Sequence, residues 1–252
     1  MAHAVVHFEI GGPDDEQLAA FYAGLLGWDM RLISGIDYRL VDTQGGTGIN
    51  GGVQKRPDGS SAVTFYVQAD DLQAVLDKVN LLGGKTETPI TELPGMATFA
   101  KFEDLDGLVL GLVLGPADPG SGQPDDSQAP VPGPSAGAGM PVDWFEVLGA
   151  DPERSQRFYA EIFGWQSTAE VQGYRMIDTG SDRGIRGGIG AGQQATWATV
   201  YARVPDVAAA LARAAELGGT REYGPDAMGE RMQIGAVRDP AGNVLGVYSS
   251  AG

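Results

Sequence analysis

The 252-residue chain sets 17 Lys and Arg against 33 Asp and Glu, for a formal net charge of −16, with 42% hydrophobic residues and no cysteine. That excess of negative charge argues against nucleic acid and membrane surfaces as partners, and the missing cysteines exclude disulfides, thiolate nucleophiles, Cys-based zinc sites and iron–sulfur clusters. The two histidines, His3 and His7, fall four residues apart on an expected strand, ~13 Å from each other, so a site with two or three histidines within one chain is excluded.

Val5–Ile10 alternates as a strand, and Pro13-Asp14-Asp15-Glu16 supplies an acidic first turn to a helix that carries Leu18, Phe21, Tyr22 and Leu25 on one face and stops at Gly27. Short strands are predicted at Met30–Ile33, Tyr38–Val41 and Gly48–Val53. The pattern then restarts with a strand at Val63–Val67 and a helix at Asp71–Leu82 closed by Gly83-Gly84. Strands follow at Lys85–Ile90, Thr98–Phe102 and Leu108–Val113. From Pro116 to Gly139 apolar periodicity is lost and six of the fifteen prolines gather, which predicts a solvated linker.

Beyond that stretch the sequence repeats itself. Phe8-Glu9 recurs as Phe145-Glu146, Phe21-Tyr22-Ala23 as Phe158-Tyr159-Ala160 and Gly27-Trp28 as Gly164-Trp165. Further on, Tyr38-Arg39 matches Tyr174-Arg175, Gly51-Gly52 matches Gly187-Gly188, and Thr64, Tyr66, Asp104, Gly107 and Gly111 match Thr199, Tyr201, Asp239, Gly242 and Gly246. The second copy starts its helix with Asp151 as N-cap and Pro152 in the first turn. Two tandem domains follow, residues 1–115 and 140–252, joined by 116–139. Each pairs two strand–helix–strand–strand–strand modules into a curved, cup-like mixed sheet backed by helices, in the α+β class.

The segment His7-Phe8-Glu9-Ile10, the later Phe21-Tyr22 and Leu25-Leu26-Gly27-Trp28, and Asp104-Leu105-Asp106-Gly107 before the last strand together resemble the glyoxalase / bleomycin-resistance / extradiol-dioxygenase superfamily, also called vicinal oxygen chelate. The resemblance implies paired modules forming a half-open cup, with His or Glu metal ligands on its first and last strands in metal-using members. His7 matches the first-strand ligand, but Trp144 replaces it in the second copy. Where a last-strand Glu is implied, Gly111 and Gly246 stand, and the fifth-strand position falls on Thr64 and Thr199. No metal or other cofactor is expected on these grounds.

Strand alternation puts His7 and Glu9 on the inner face of the first cup and Trp144 and Glu146 on that of the second, with Phe8, Ile10, Phe145 and Val147 toward the helices. Tyr66 shares a face with Thr64; Trp197 and Tyr201 share one with Thr199, and Tyr248 joins them, giving aromatic walls suited to a flat organic molecule. The two carboxylates serve either as a general base or ligand anchor, or as hydrogen-bond partners of neighbouring strands. Arg39 and Arg175 are either anion anchors or surface residues. Gly46–Gly51 fits a dinucleotide fingerprint by letter, but no helix is predicted after it. Gly120-Ser121-Gly122 has no histidine nearby to make a hydrolase nucleophile.

Three functions remain open. One is a resistance- or sequestration-type binding protein that holds a small organic molecule without a metal. The second is a lyase, isomerase or related enzyme resembling lactoylglutathione lyase, either with metal ligands aligned elsewhere or with Glu9 or Glu146 as base. The third is a regulatory protein with degenerate cups. A monomer or homodimer is expected, and with no apolar run of eighteen residues and no basic leader, a cytoplasmic one.

Overall fold

A computed structural model describes residues 3–33, 35–115, 139–192 and 196–250. The predicted linker and the Gly-Ser-Gly at 120–122 therefore lie outside the described residues, except for Gly139.

The first repeat runs β1 (Val5–Gly12), α1 (Asp15–Leu26), β2 (Asp29–Leu32), β3 (Tyr38–Asp42), β4 (Gly51–Lys55), β5 (Ala62–Ala69), α2 (Leu72–Leu81), β6 (Lys85–Leu93), β7 (Ala97–Glu103) and β8 (Val109–Leu114). The second runs β9 (Val142–Gly149), α3 (Pro152–Phe163), β10 (Gln166–Val171), β11 (Tyr174–Asp178), β12 (Arg186–Ala191), β13 (Trp197–Arg203), α4 (Val207–Glu216), β14 (Thr220–Met228), β15 (Met232–Arg238) and β16 (Val244–Ser250). Each repeat forms one open, curved, eight-stranded sheet, in the order β2-β3-β4-β1-β5-β8-β7-β6 and its counterpart β10-β11-β12-β9-β13-β16-β15-β14. β1 with β4 and β5 with β8 are parallel pairs, whereas β3 with β4 and β7 with β8 are antiparallel hairpins.

The helices begin and end as their sequences dictate. The carboxylates of Asp14 and Asp151 accept first-turn backbone N–H groups, and Gly27 and Gly164 close α1 and α3 in the left-handed conformation at φ 71° and 73°. β4 starts at Gly51 rather than Gly48, where the backbone is left-handed at φ 84°, and Asn50 Oδ1 takes the Thr43 backbone N–H and hydroxyl at 3.0 and 3.1 Å just before the strand. β4 also settles the dinucleotide fingerprint, which leads into a strand and no helix.

Packing groups the modules differently from the sheets. One compact unit takes the described residues of Met1–His7, Thr64–Ser121 and Trp144–Thr199, and the other those of Phe8–Val63, Gly122–Asp143 and Val200–Gly252. Each unit therefore joins a module of one repeat to a module of the other. The first has an aromatic core: Phe145 lies 4.9 Å from Trp165 and 5.1 Å from Phe65 between ring centroids, and Tyr159, Phe163 and Phe102 extend the cluster. In the second, Trp28 sits 5.1 Å from Phe8 and 5.4 Å from Tyr22.

The Asp-x-x-Gly motif ties the modules within each unit. Asp104 Oδ1 accepts the backbone N–H groups of Asp106 and Leu108 at 2.8 and 2.9 Å, which shapes a turn that Gly107 completes at φ 80°. Its other oxygen accepts the Tyr159 hydroxyl at 2.6 Å. Asp239 repeats the arrangement with Ala241, Asn243 and the Tyr22 hydroxyl at 2.9 Å. Burial raises both carboxyls above their usual range, outweighing these hydrogen bonds, and holds the two phenols well above theirs.

Candidate ligand site

In the first unit, β9 turns Trp144 and Glu146 to one face and Phe145 and Val147 into the core. Trp197, at the start of β13, donates its indole N–H to Glu146 Oε2 at 3.0 Å, and Trp144 donates its own to the Tyr174 hydroxyl at 3.1 Å. The register sets Gly188 opposite Glu146 and Gly190 opposite Leu148. A Cβ at Gly188 would lie 2.1 Å from the Tyr174 hydroxyl, and one at Gly190 2.7 Å from the same ring. These glycines let Tyr174 lie flat on β12 with its hydroxyl beside Glu146. Thr199 is buried on the same strand as Trp197.

The first unit also holds His7, Thr64 and Tyr66. His7 is buried, its ring 5.7 Å from that of Tyr66 in an edge-on contact, and Thr64 is buried beside them on β5. Lys101 Nζ stands 5.8 Å from the Tyr66 ring centroid, a cation–π distance. Gly111 pairs with Tyr66 in register, and a Cβ there would meet the Tyr66 ring at 2.2 Å.

In the second unit, Glu9 is buried and accepts the Gln54 side-chain amide at 2.5 Å. Burial and the neighbouring Glu9 charge hold the Tyr38 hydroxyl well above its usual range. The Tyr201 and Tyr223 hydroxyls share a hydrogen bond of 2.7 Å. Gly246 is opposite Tyr201, and its Cβ would meet that ring at 2.2 Å. Tyr248 donates to Asp143 Oδ1 at 2.7 Å while Arg203 pairs with the other oxygen at 3.1 Å. Burial and the Asp143 bond push the Tyr248 hydroxyl far up, and burial raises the Asp143 carboxyl.

Several expectations are refined by these contacts. Where the resemblance implies a last-strand Glu, the Tyr66 and Tyr201 rings fill the space beside Gly111 and Gly246. Arg39 is neither an anion anchor nor a surface residue: it is buried against Asp15 at 2.7 Å, whereas Arg175 pairs with Glu153 and Glu170 at 3.4 and 3.3 Å. Gln54, Lys101, Tyr223 and Asp143 were not anticipated. Tyr174 and Tyr38 had a signal, since each recurs together with a Gly-Gly pair, which the structure places on the adjacent strand.

Residues 144–248 match the glyoxalase-like domain family. Among solved structures, the 2,3-dioxygenase LapB of Pseudomonas sp. KL28 is similar with a TM-score of 0.68 at 14% identity, covering 99% of this chain and 92% of that one. The chain has the two-domain fold of the vicinal oxygen chelate superfamily. Two further solved structures resemble it at 16% identity: the Mn(II)-bound glyoxalase of Novosphingobium aromaticivorans, TM-score 0.67 over 98% of this chain and 83% of that one, and homoprotocatechuate 2,3-dioxygenase of Brevibacterium fuscum in complex with 3,4-dihydroxyphenylacetate, TM-score 0.68 over 99% and 81%. No curated protein matches the sequence. No helix among the described residues is long and apolar enough to cross a membrane.

A vicinal-oxygen-chelate metal does not fit the donors present. Among the described residues no three His, Cys, Asp or Glu side chains come together to hold an ion. The last-strand position that the resemblance gives to a carboxylate carries no side chain, and tyrosine rings take its volume.

Proposed function

We propose that the two repeats, residues 1–115 and 140–252, bind a small organic molecule on the inner faces of their sheets without a metal held by their own side chains, in the manner of a resistance or sequestration protein. The observation that carries this reading is the packing of Tyr66 over Gly111 and Tyr201 over Gly246, which turns the last-strand ligand position into aromatic wall. His7, Thr64, Tyr66, Trp144, Glu146, Trp197 and Thr199 are the candidate binding residues of one unit, and Glu9, Tyr201 and Tyr248 those of the other. Trp144, Trp197 and Tyr248 are half-buried and the other candidates are buried, and aromatic rings with a few fixed polar groups are the composition of a site for an organic ligand. Chains act as monomers or homodimers in the cytoplasm, on small molecules rather than nucleic acid.

Metal analysis of the purified, tag-free protein with thermal-shift titration of divalent ions tests it. Substoichiometric metal and an unmoved melting temperature are expected; one bound metal ion per chain with a raised melting temperature overturns it. The glyoxalase-like match over residues 144–248 favours a second reading, a metal-independent lyase or isomerase with Glu146 as base. Turnover abolished by Glu146→Gln in metal-free protein selects that reading.

A further inference from the structure

The four tryptophans fall into two classes. Trp28 and Trp165 are buried, their indole N–H groups bound to the backbone oxygens of Met140 and His3 at 2.8 and 2.7 Å. Trp144 and Trp197 keep part of their rings in solvent, and their N–H groups go to side chains around Glu146. Those bonds fix each ring's orientation, and the flat Tyr174 adds a third ring beside the same carboxylate. Glu146 itself is only 7% exposed.

An aromatic face presents negative quadrupole to whatever lies over it, and a carboxylate among such faces adds a full charge in a partly desolvated place. Anions and neutral polar ligands gain little there. Organic cations whose charge is spread over methyl or methylene groups gain from both terms and lose little hydration. The arginines of the flanking strands are committed elsewhere, Arg175 to Glu153 and Glu170 and Arg186 to Asp178 at 3.7 Å. The net charge of −16 adds a long-range attraction for cations. At the corresponding positions of the first repeat stand His7 for Trp144, Ala62 for Trp197 and Gln54 for Gly190, so neither indole is present and an amide occupies Glu9.

We propose that Trp144, Glu146, Tyr174 and Trp197 form a cage for an alkylated ammonium group. This deepens the ligand-binding reading above and rests on it. Cation–π contacts select the ammonium, and Glu146 neutralises it.

The test is titration of the full chain with choline and with its neutral isostere 3,3-dimethylbutan-1-ol, read by tryptophan fluorescence and calorimetry. Saturable choline binding at least tenfold tighter than that of the alcohol is expected. Glu146→Gln and Trp197→Ala should each weaken it about tenfold or more, while Glu161→Gln, the same charge change on exposed α3 surface, leaves it unchanged. Near-UV circular dichroism and melting temperature establish that the variants are folded; if Trp197→Ala is not, Trp144→Phe replaces it. Equal affinity for choline and the alcohol, or an unaltered choline affinity in Glu146→Gln, overturns the cage but leaves an uncharged organic ligand standing. Absence of saturable choline binding also overturns it, and the metal analysis then decides the ligand-binding reading by itself.

Discussion

The two repeats set the same carboxylate on the same strand and surround it differently. Glu9 is met by a side-chain amide, that of Gln54, and Glu146 by an indole, that of Trp197. The Gln54 amide donates an N–H to Glu9 and sets no ring beside the charge. An indole only donates, and it leaves an aromatic face beside the charge. By contrast, the Tyr–Asp ties and the tyrosines packed over Gly111 and Gly246 are the same in both repeats. The carboxylate surroundings thus differ while these ties are shared.

The constant part should respond equally in both copies, and most strongly. Asp104→Ala strands two backbone N–H groups and the Tyr159 hydroxyl, and Asp239→Ala strands their counterparts together with the Asn243 amide. Each should cost about 4 kcal/mol in guanidinium unfolding, since buried donors left unpaired cost ~1–3 kcal/mol each. A loss confined to one copy breaks the equivalence. The raised carboxyls also fix a sign. Burial lifts the folded Asp104 above its ordinary 3.8, so its contribution is fully present below that value and is lost as pH rises through the folded pKa. The deficit of Asp104→Asn relative to wild type should therefore be larger at pH 3.5 than at pH 7, and Asp239→Asn should do the same.

Next in size is a place where the copies differ. Arg39 has 8% of its side chain exposed and Asp15 13%, whereas the partners of Arg175, Glu153 and Glu170, are 63% and 53% exposed. Arg39→Ala should cost about 3 kcal/mol because it leaves a buried charge unpaired. Arg175→Ala should cost about 1 kcal/mol, since exposed pairs contribute little. Equal losses in thermal or denaturant unfolding would remove this distinction between the repeats.

Much of the scaffold was legible because it depends on local chemistry. The Asp151 cap and the stops at Gly27 and Gly164 follow from backbone conformation, whereas Asp14, expected in the first turn, caps α1, and Asp104 and Asp239 recurred with their glycines without a record of the turns they shape. The regrouping of modules into units was not legible, since an apolar helix face carries no record of which sheet it covers. Period two put Tyr66 and Trp197 on the expected strands' inner positions, but it does not say where a ring lies. Whether Tyr66 stands away from Gly111 or over it is decided by packing. Contacts such as Tyr248 with Asp143 join residues 105 positions apart and leave no pattern along the chain.

The tyrosine-over-glycine packing can be probed directly. Gly111→Ala and Gly246→Ala place a methyl 2.2 Å from a ring carbon, so the ring must move. Overpacking of this kind costs about 2 kcal/mol. Combining Gly246→Ala with Tyr201→Ala should cost less than the sum of the two single changes, because the clash disappears with the ring. Additive losses would show that Tyr201 does not fill the glycine's space.

The smallest expected effect falls on the divergent pair itself. Trp197→Phe keeps an aromatic ring and deletes one N–H, so the Glu146 bond is lost while the wall remains. A hydrogen bond to a charged group contributes ~1.5–3 kcal/mol, and water reaching this part-exposed side chain restores some of it, so a loss of about 1 kcal/mol is expected. Gln54→Leu removes the amide from Glu9 and puts apolar atoms against a buried carboxylate, which should cost more, about 2 kcal/mol. The ordering carries the argument. If Trp197→Phe costs as much as Gln54→Leu, the indole is as much a structural partner as the amide, and the second repeat's inner face is wall rather than ligand surface. If it costs less, Trp197 contributes to the second repeat's inner face chiefly as a ring, as the cage requires.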